Sequence, residues 1–291
     1  MNENSNNTEK AKAAKPEIKA GRKNKNSTRI SRTSTLLDEN SPFRIKEAYK
    51  TLRTNLLFAL ASVNPNEHPT NIITITSTVP GEGKSTTCAN LALTMADKQE
   101  RVLILDADMR KAVQHRIWNV DNTRGLSTVL IREDNLSDAV AHNIRPNLDL
   151  LPAGVITPNP SELLGSESMR VILSGLADIY DYIFIDTPPL TVVSDAMVVA
   201  PLTSGVLMAV RPNYSTHDKI RFVLESMSLA NVKLLGFMMS CVEEDSLTLP
   251  VLGRYYGNKY GYYKYYKYRK YGYSDYGYDR AEPNRDSEHI D

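Results

Sequence analysis

The chain has 291 residues, with 35 Lys plus Arg against 34 Asp plus Glu and 41% hydrophobic residues, enough for one large α/β domain or two small ones. Two cysteines exclude a disulfide framework, and five scattered histidines show no metal-ligand spacing. No apolar run approaches the ~20 residues of a membrane span, and the polar front end lacks the apolar core of a secretory signal, so a reducing, cytosolic location is expected.

Residues 1–40 read as a disordered basic extension, since the first 35 hold nine basic and three acidic side chains and almost no large apolar ones. The basic residues are spread out and no aromatic is interleaved, so no nucleic acid is expected as a partner. Residues 41–252 read as one folded domain carrying a net charge of about −7 over positions 36–252. Ser41-Pro42 opens a helix that runs from Phe43 to about Ala61. Along it Ala48, Leu52, Leu56 and Leu60 recur every four residues as one apolar stripe.

After Asn64-Pro65-Asn66 the pattern changes. Short apolar runs at Ile72–Thr76, Val102–Leu105, Leu148–Leu151, Tyr182–Ile185, Val206–Val210 and Leu234–Met239 read as strands buried on both faces. Helices are expected at Lys84–Ala96, Ser168–Ala177, Ser194–Ala200 and Ser215–Leu229. The alternation predicts an α/β fold, a doubly wound, mainly parallel sheet with helices on both faces.

Thr78-Val-Pro80-Gly81-Glu82-Gly83-Lys84-Ser85-Thr86 follows an expected strand and opens an expected helix, the context of a P-loop. Gly81 and Gly83 let backbone N–H groups curl toward phosphate oxygens, and the helix adds its positive end. Lys84 would reach the β and γ phosphates and Ser85 would ligate Mg²⁺. Asp106 and Asp108 stand just past the second strand, and Asp186 just past another. Ligands of open α/β sheets sit at the carboxyl ends of strands, so these aspartates should share one edge with the P-loop. Alone, an aspartate there most often caps a helix; three beside a P-loop point to metal binding and proton acceptance in phosphoryl transfer.

The last 39 residues, 253–291, read as a flexible tail. Of 16 tyrosines in the chain, twelve lie there: Tyr255, Tyr256, Tyr260, the run Tyr262-Tyr263-Lys264-Tyr265-Tyr266-Lys267-Tyr268, then Tyr271, Tyr273, Tyr276 and Tyr278. Glycines at 257, 261, 272 and 277 disfavour regular structure.

Together these motifs resemble the bacterial tyrosine kinases, P-loop proteins related to the MinD/ParA ATPases. The resemblance covers roughly residues 41–278 and rests on Gly83-Lys84-Ser85, Asp106-Ala107-Asp108-Met109-Arg110 and Asp186-Thr187-Pro188-Pro189. It extends to Leu151-Pro152-Ala153-Gly154, Pro158-Asn159-Pro160-Ser161-Glu162-Leu163-Leu164, Val193-Ser194-Asp195-Ala196 and the tyrosine tail. It implies ATP and Mg²⁺ as cofactors, with Lys84, Asp106, Asp108 and Asp186 catalytic. Pro80 to Thr86 would bind nucleotide, Ser85, Asp106 and Asp186 would stand on the metal side, and Arg110 would lie beside the point where tyrosine enters. The twelve tail tyrosines would be phosphoacceptors in a role controlling capsule or exopolysaccharide synthesis and export. The implied partners are a membrane adaptor holding the protein at the inner membrane face, further copies of the chain in a ring, and a tyrosine phosphatase.

There are departures. Glu47, Lys50 and Arg53 stand where the family carries its ring-assembly Glu-x-x-Arg-x-x-Arg, and Lys lacks the bidentate fork of Arg. Ser240 replaces an Asn near the adenine. Val79 replaces the early Lys of MinD/ParA ATPases, which argues against an ATPase switch. The intact carboxylates argue against a third reading, a nucleotide-binding scaffold with a docking tail.

Overall fold

A computed structural model describes residues 36–63 and 71–242. Seven strands form one sheet: β1 (Ile72–Ser77), β2 (Val102–Asp106), β3 (Ala141–Arg145), β4 (Leu148–Leu151), β5 (Tyr182–Asp186), β6 (Gly205–Val210) and β7 (Leu234–Met239). Their order is β3-β4-β2-β5-β1-β6-β7. All neighbours are parallel except β3, which runs antiparallel to β4 at one edge.

The inner strands β1, β2, β4, β5 and β6 are buried because they alternate their apolar side chains between opposite faces. In contrast β7, expected from its apolar run to be buried on both faces, is an edge strand with Phe237 and Met239 exposed, since only β6 pairs with it. Leu103, Leu105, Ile183 and Ile185 join one cluster, while Ile73, Ile75, Val102, Ile104 and Phe184 join the other. The second cluster lies under α1 (Phe43–Ala61) and α2 (Lys84–Ala96). The first lies under α4 (Leu126–Leu130), α6 (Pro160–Leu164), α7 (Glu167–Ala177) and α8 (Asp195–Val199). A smaller cluster, including Val206, Met208, Val223 and Met227, sits under α9 (His217–Leu229). Two further short helices, α3 (Gln114–Trp118) and α5 (Leu136–Ala139), complete the set, with one 3₁₀ turn at Ala200–Leu202.

The six apolar strands and four later helices expected from the sequence are all present, with ends displaced by no more than two residues. Ser166 caps α7 by accepting the Met169 N–H, and Thr216 caps α9 by accepting the Lys219 N–H. The strand β3 and the short helices α3 to α6 carry no long periodic pattern and were not expected.

The expected apolar stripe of α1 holds only in part. Ala48 is exposed, and only Leu56 and Leu60 of the proposed α1 stripe are buried. A step of four residues advances about 400° around an α-helix, so a strict four-residue repeat drifts about 40° per step. By Ala48 the repeat has left the inward face, and Tyr49 takes its place there, within reach of Asn90 Nδ2 at 3.4 Å.

Leu36 packs against the α1/α2 core and the Leu37 N–H donates to Asn90 Oδ1 at 2.8 Å. The rest of the expected basic extension and the whole tail at 253–291, with its twelve tyrosines, lie outside the described residues. Among the described residues no helix is long and apolar enough to cross a membrane.

Candidate active site

The phosphate loop follows β1, which lies between β5 and β6. The chain crosses to opposite sides of β1 on leaving it toward β2 and on returning to β6, so the loop stands at the switch point of the sheet. Gly81 (φ 88°) and Gly83 (φ 82°) take left-handed conformations. Gly83 is the N-cap of α2 and no side chain caps that helix, leaving its first-turn amides open to an anion.

The loop is braced from behind. Glu82 is fully buried, and its carboxylate accepts from the Val79 N–H (2.9 Å), the Arg211 N–H (3.1 Å) and Ser215 Oγ (2.6 Å). Its side chain therefore ties the loop to the segment after β6, and only its backbone belongs to the cradle. Ser240, just past β7, donates its hydroxyl to the Glu82 carbonyl at 2.6 Å. Ser240 is thus a brace for the loop.

Two of the three aspartates, Asp108 and Asp186, meet Lys84 at the carboxyl ends of β2 and β5. Lys84 Nζ donates to Asp108 Oδ2 at 3.0 Å, Asp186 Oδ1 at 3.4 Å and Ser85 Oγ at 3.1 Å. Burial alone would lower the Lys84 pKa, but the charges of Asp186 and Asp108 outweigh it and raise it. Asp106 is fully buried, and burial followed by the adjacent Asp186 pushes its carboxyl up to about 8. Its two oxygens accept backbone N–H groups: Oδ1 from Asp108 (3.1 Å), Oδ2 from Val113 (3.2 Å) and Gln114 (3.0 Å). Asp106 thus pins the segment leading into α3, which places its carboxylate one layer behind Asp108.

Arg110 turns away from this cluster. Its Nε and Nη2 grip Asp195 at 2.8 and 3.1 Å, and Nη2 also reaches Ser161 Oγ at 3.2 Å. Ser161 Oγ in turn donates to Asp195, which is fully buried. Three sequence-separated motifs, around residues 110, 161 and 195, therefore close into one knot beside the site. On α1, Lys50 pairs with Glu47 at 2.7 Å, while Arg53 donates to the Thr94 carbonyl in the last turn of α2 at 2.8 Å.

Gln114 carried no signal in the sequence. It is fully buried in α3, and its Nε2 donates to Asp186 Oδ2 (2.8 Å) and the Ser85 carbonyl (3.0 Å). Only its spacing of four residues past Arg110 could have marked it.

The residues present fit a magnesium nucleotide. Uncapped amides face the phosphate position, a cation stands beside them, and Ser85 and Asp186 offer hard oxygen donors. Among the described residues no three acidic, His or Cys side chains converge as a complete metal cage. Mg²⁺ is commonly held by one or two carboxylates together with substrate phosphates and water.

A family model for the AAA domain matches residues 70–231. Tyrosine-protein kinase YwqD of Bacillus subtilis (strain 168) is 36% identical over 194 residues, covering 67% of this chain and 80% of that protein. The chain belongs to the bacterial tyrosine kinases. Tyrosine-protein kinase etk of Escherichia coli (strain K12) is 34% identical over 67% of this chain, which spans 26% of etk's length. The crystal structure of the chimerical protein CapA2B2 superposes with a TM-score of 0.66 at 35% identity, covering 71% of this chain and 89% of that one. The MinD cell division ATPase of Pyrococcus furiosus superposes with a TM-score of 0.50 at 28% identity over 58% of this chain and 71% of its own. This bacterial tyrosine kinase is therefore built on the P-loop α/β fold that MinD shares. Its activity is phosphoryl transfer to protein tyrosine.

Proposed function

We propose that this kinase phosphorylates its own carboxyl-terminal tyrosines, from Tyr255 to Tyr278, mostly between subunits. What supports phosphorylation of the tail is the hydrogen bond between Ser240 and the phosphate loop, while transfer between subunits rests on the opposite charges of tail and domain. Val242, the last described residue, follows Ser240 by two positions. Tyr255 lies 13 residues further on, a reach of at most roughly 45 Å for an extended chain.

In this reading Ser85 and Asp186 hold Mg²⁺, which when bound with ATP neutralises charge on the β- and γ-phosphate oxygens. Pro80 to Thr86 wrap the phosphates. Phosphate oxygens compete for Lys84, and Asp108 is thereby released to accept the phenolic proton of an incoming tyrosine. The tyrosine oxygen bonds to the γ-phosphorus as the bond to the bridging oxygen breaks and ADP leaves. Asp106 holds the Asp108 backbone so that its carboxylate stays at this point.

Residues 253–291 carry a net charge of about +2 unmodified, and each phosphate adds about −1.5 to −2. Tails drawn to the acidic domain of a neighbour would hold an oligomer, and phosphorylated tails would leave it. Glu47, Lys50 and Arg53 on α1 are the proposed contacts of a ring. A membrane adaptor, control of capsule or exopolysaccharide export, and reversal by a tyrosine phosphatase follow the family resemblance.

The test mixes two forms of the full chain with Mg·ATP. One carries Lys84→Ala with an intact tail; the other is active but has its twelve tail tyrosines replaced by Phe. Phosphotyrosine mapped by mass spectrometry on the Lys84→Ala tail is the expected result. Release of inorganic phosphate by the wild type without any phosphotyrosine would instead mark an ATPase switch.

A further inference from the structure

We propose that Gln114 is a positioning residue for phosphoryl transfer, fixing which oxygen of Asp186 faces the reaction and wiring that carboxylate to Trp118, the chain's one tryptophan. The inference rests on the reading of Asp186 and Ser85 as the Mg²⁺ side of the site.

Every polar atom of the Gln114 side chain is used. Nε2 donates both to Asp186 Oδ2 at 2.8 Å and to the Ser85 carbonyl at 3.0 Å, while Oε1 accepts the Trp118 indole N–H at 3.2 Å. Flipping the amide would set Oε1 against two acceptors and the NH₂ group against a donor, so the network admits one orientation. The backbone N–H of the same residue donates to Asp106 Oδ2 at 3.0 Å. One residue thus touches the carboxylates that end β2 and β5 and the start of α2.

The consequence for Asp186 is geometric. Its Oδ2 is tied by a neutral donor, and its Oδ1 is left toward Lys84 at 3.4 Å. A carboxylate held at one oxygen presents the other in a fixed direction, and a neutral holder adds no cation to compete with Lys84 or Mg²⁺. Outer-shell donors of this kind typically contribute about 10–100-fold to metal affinity or activity. Trp118 anchors the far end. It is 7% exposed, packed in the α1/α2 core, with the Arg145 guanidinium 5.6 Å from its ring centroid. A shift of Gln114 must change the indole hydrogen bond, which makes Trp118 an internal reporter of the Asp186 position.

The test uses the full chain with ADP, with and without Mg²⁺, followed by calorimetry and by Trp118 emission. Gln114→Met keeps length and approximate volume but has no donor. The expected result is ADP affinity without Mg²⁺ unchanged within about twofold and a Mg²⁺-dependent gain reduced about tenfold. The emission change on adding Mg²⁺ to the ADP complex should be lost, and kcat should fall by a similar factor with little change in the KM for ATP. Equal loss of ADP affinity with and without Mg²⁺, or no loss in either, overturns the proposal. Gln114→Glu, of the same shape, turns an acceptor toward Asp186; it should show the same selective loss and stands in if the Met variant does not fold. Asp186→Asn separates the two readings. If the Mg²⁺ gain survives in that variant, the assignment of Asp186 itself falls; if the gain is lost there and kept in both Gln114 variants, only the positioning role falls.

Discussion

Lys84 and Asp108 form a buried ion pair, Nζ to Oδ2 at 3.0 Å, with side chains 11% and 5% exposed. Asp186, fully buried, stands 3.4 Å from the same amine. The lysine that a P-loop offers to phosphate is thus also the counter-ion of two buried carboxylates. Lys84→Ala should abolish tyrosine phosphorylation and also lower stability by about 3 kcal/mol, because it leaves buried charge uncompensated. Adding Asp108→Asn should recover part of that stability and none of the activity. Chemical denaturation of the single and double variants measures the coupling.

Gly83 and Gly175 should respond oppositely to alanine. Gly83 has φ 82°, and an added Cβ would lie 3.3 Å from Ser240 Cβ. Gly83→Ala should cost about 1–2 kcal/mol from the left-handed backbone alone and should weaken ADP binding. Gly175 lies inside α7, and an added Cβ there meets nothing within 4 Å. Gly175→Ala should stabilise by about 0.5–1 kcal/mol and leave ADP binding unchanged. Thermal melts and ADP titrations of the pair read both effects.

Arg110→Lys tests the knot beside the site. Lysine keeps the charge but cannot grip both Asp195 oxygens as the guanidinium does. Because Arg110 is 40% exposed at its side chain, solvent screening limits the loss, expected to be about 1 kcal/mol. Asp195→Ala should cost more, about 2–3 kcal/mol, since it also leaves Ser161 without its buried acceptor. Urea midpoints of the two variants give the ranking.

Asp149 and Tyr180 should give a pH-dependent stability term. Burial would raise the Asp149 pKa, but hydrogen bonds from Tyr180 (2.6 Å), the Asn143 N–H (2.7 Å) and His142 hold it below the usual carboxylate value. Its contribution is present above the unfolded pKa of about 3.9 and is lost as pH falls through the lower folded value. Burial and the Asp149 contact raise the Tyr180 phenol, so its contribution is full below about pH 10 and is lost as pH rises beyond it. Tyr180→Phe should therefore cost about 1–2 kcal/mol between roughly pH 5 and 9 and progressively less outside that window. Unfolding free energies of both proteins across pH check the shape.

On α1, Leu56→Ala should destabilise by about 2–4 kcal/mol, since Leu56 is 3% exposed in the core. Ala48→Lys, at the exposed end of the expected stripe, should stay within about 0.5 kcal/mol. A large loss at Ala48 would mean that the helix is rotated from the position described.

The strands, the main helices and the phosphate loop can be read from consecutive residues. Runs such as Val102–Leu105 and Tyr182–Ile185 are apolar at every position, and Gly83-Lys84-Ser85 sits between one such run and a helix. These signals are local, because burial on both faces and phosphate binding at a helix start each dictate consecutive residues. Local pattern also placed Asp106, Asp108 and Asp186 at one edge, since strand ends in a parallel sheet share a direction. Which groups touch is settled by the folded chain. That Ser240 braces Glu82, that Arg110 binds Asp195 and Ser161, and that Gln114 holds Asp186 and Trp118 depend on contacts between distant segments, which leave no periodicity in either segment. The short helices α3 to α6 and the edge strand β3 were hidden for the same reason. They are held by packing and by side chains such as Asp106 and Asp149, and are too short for a repeat to show.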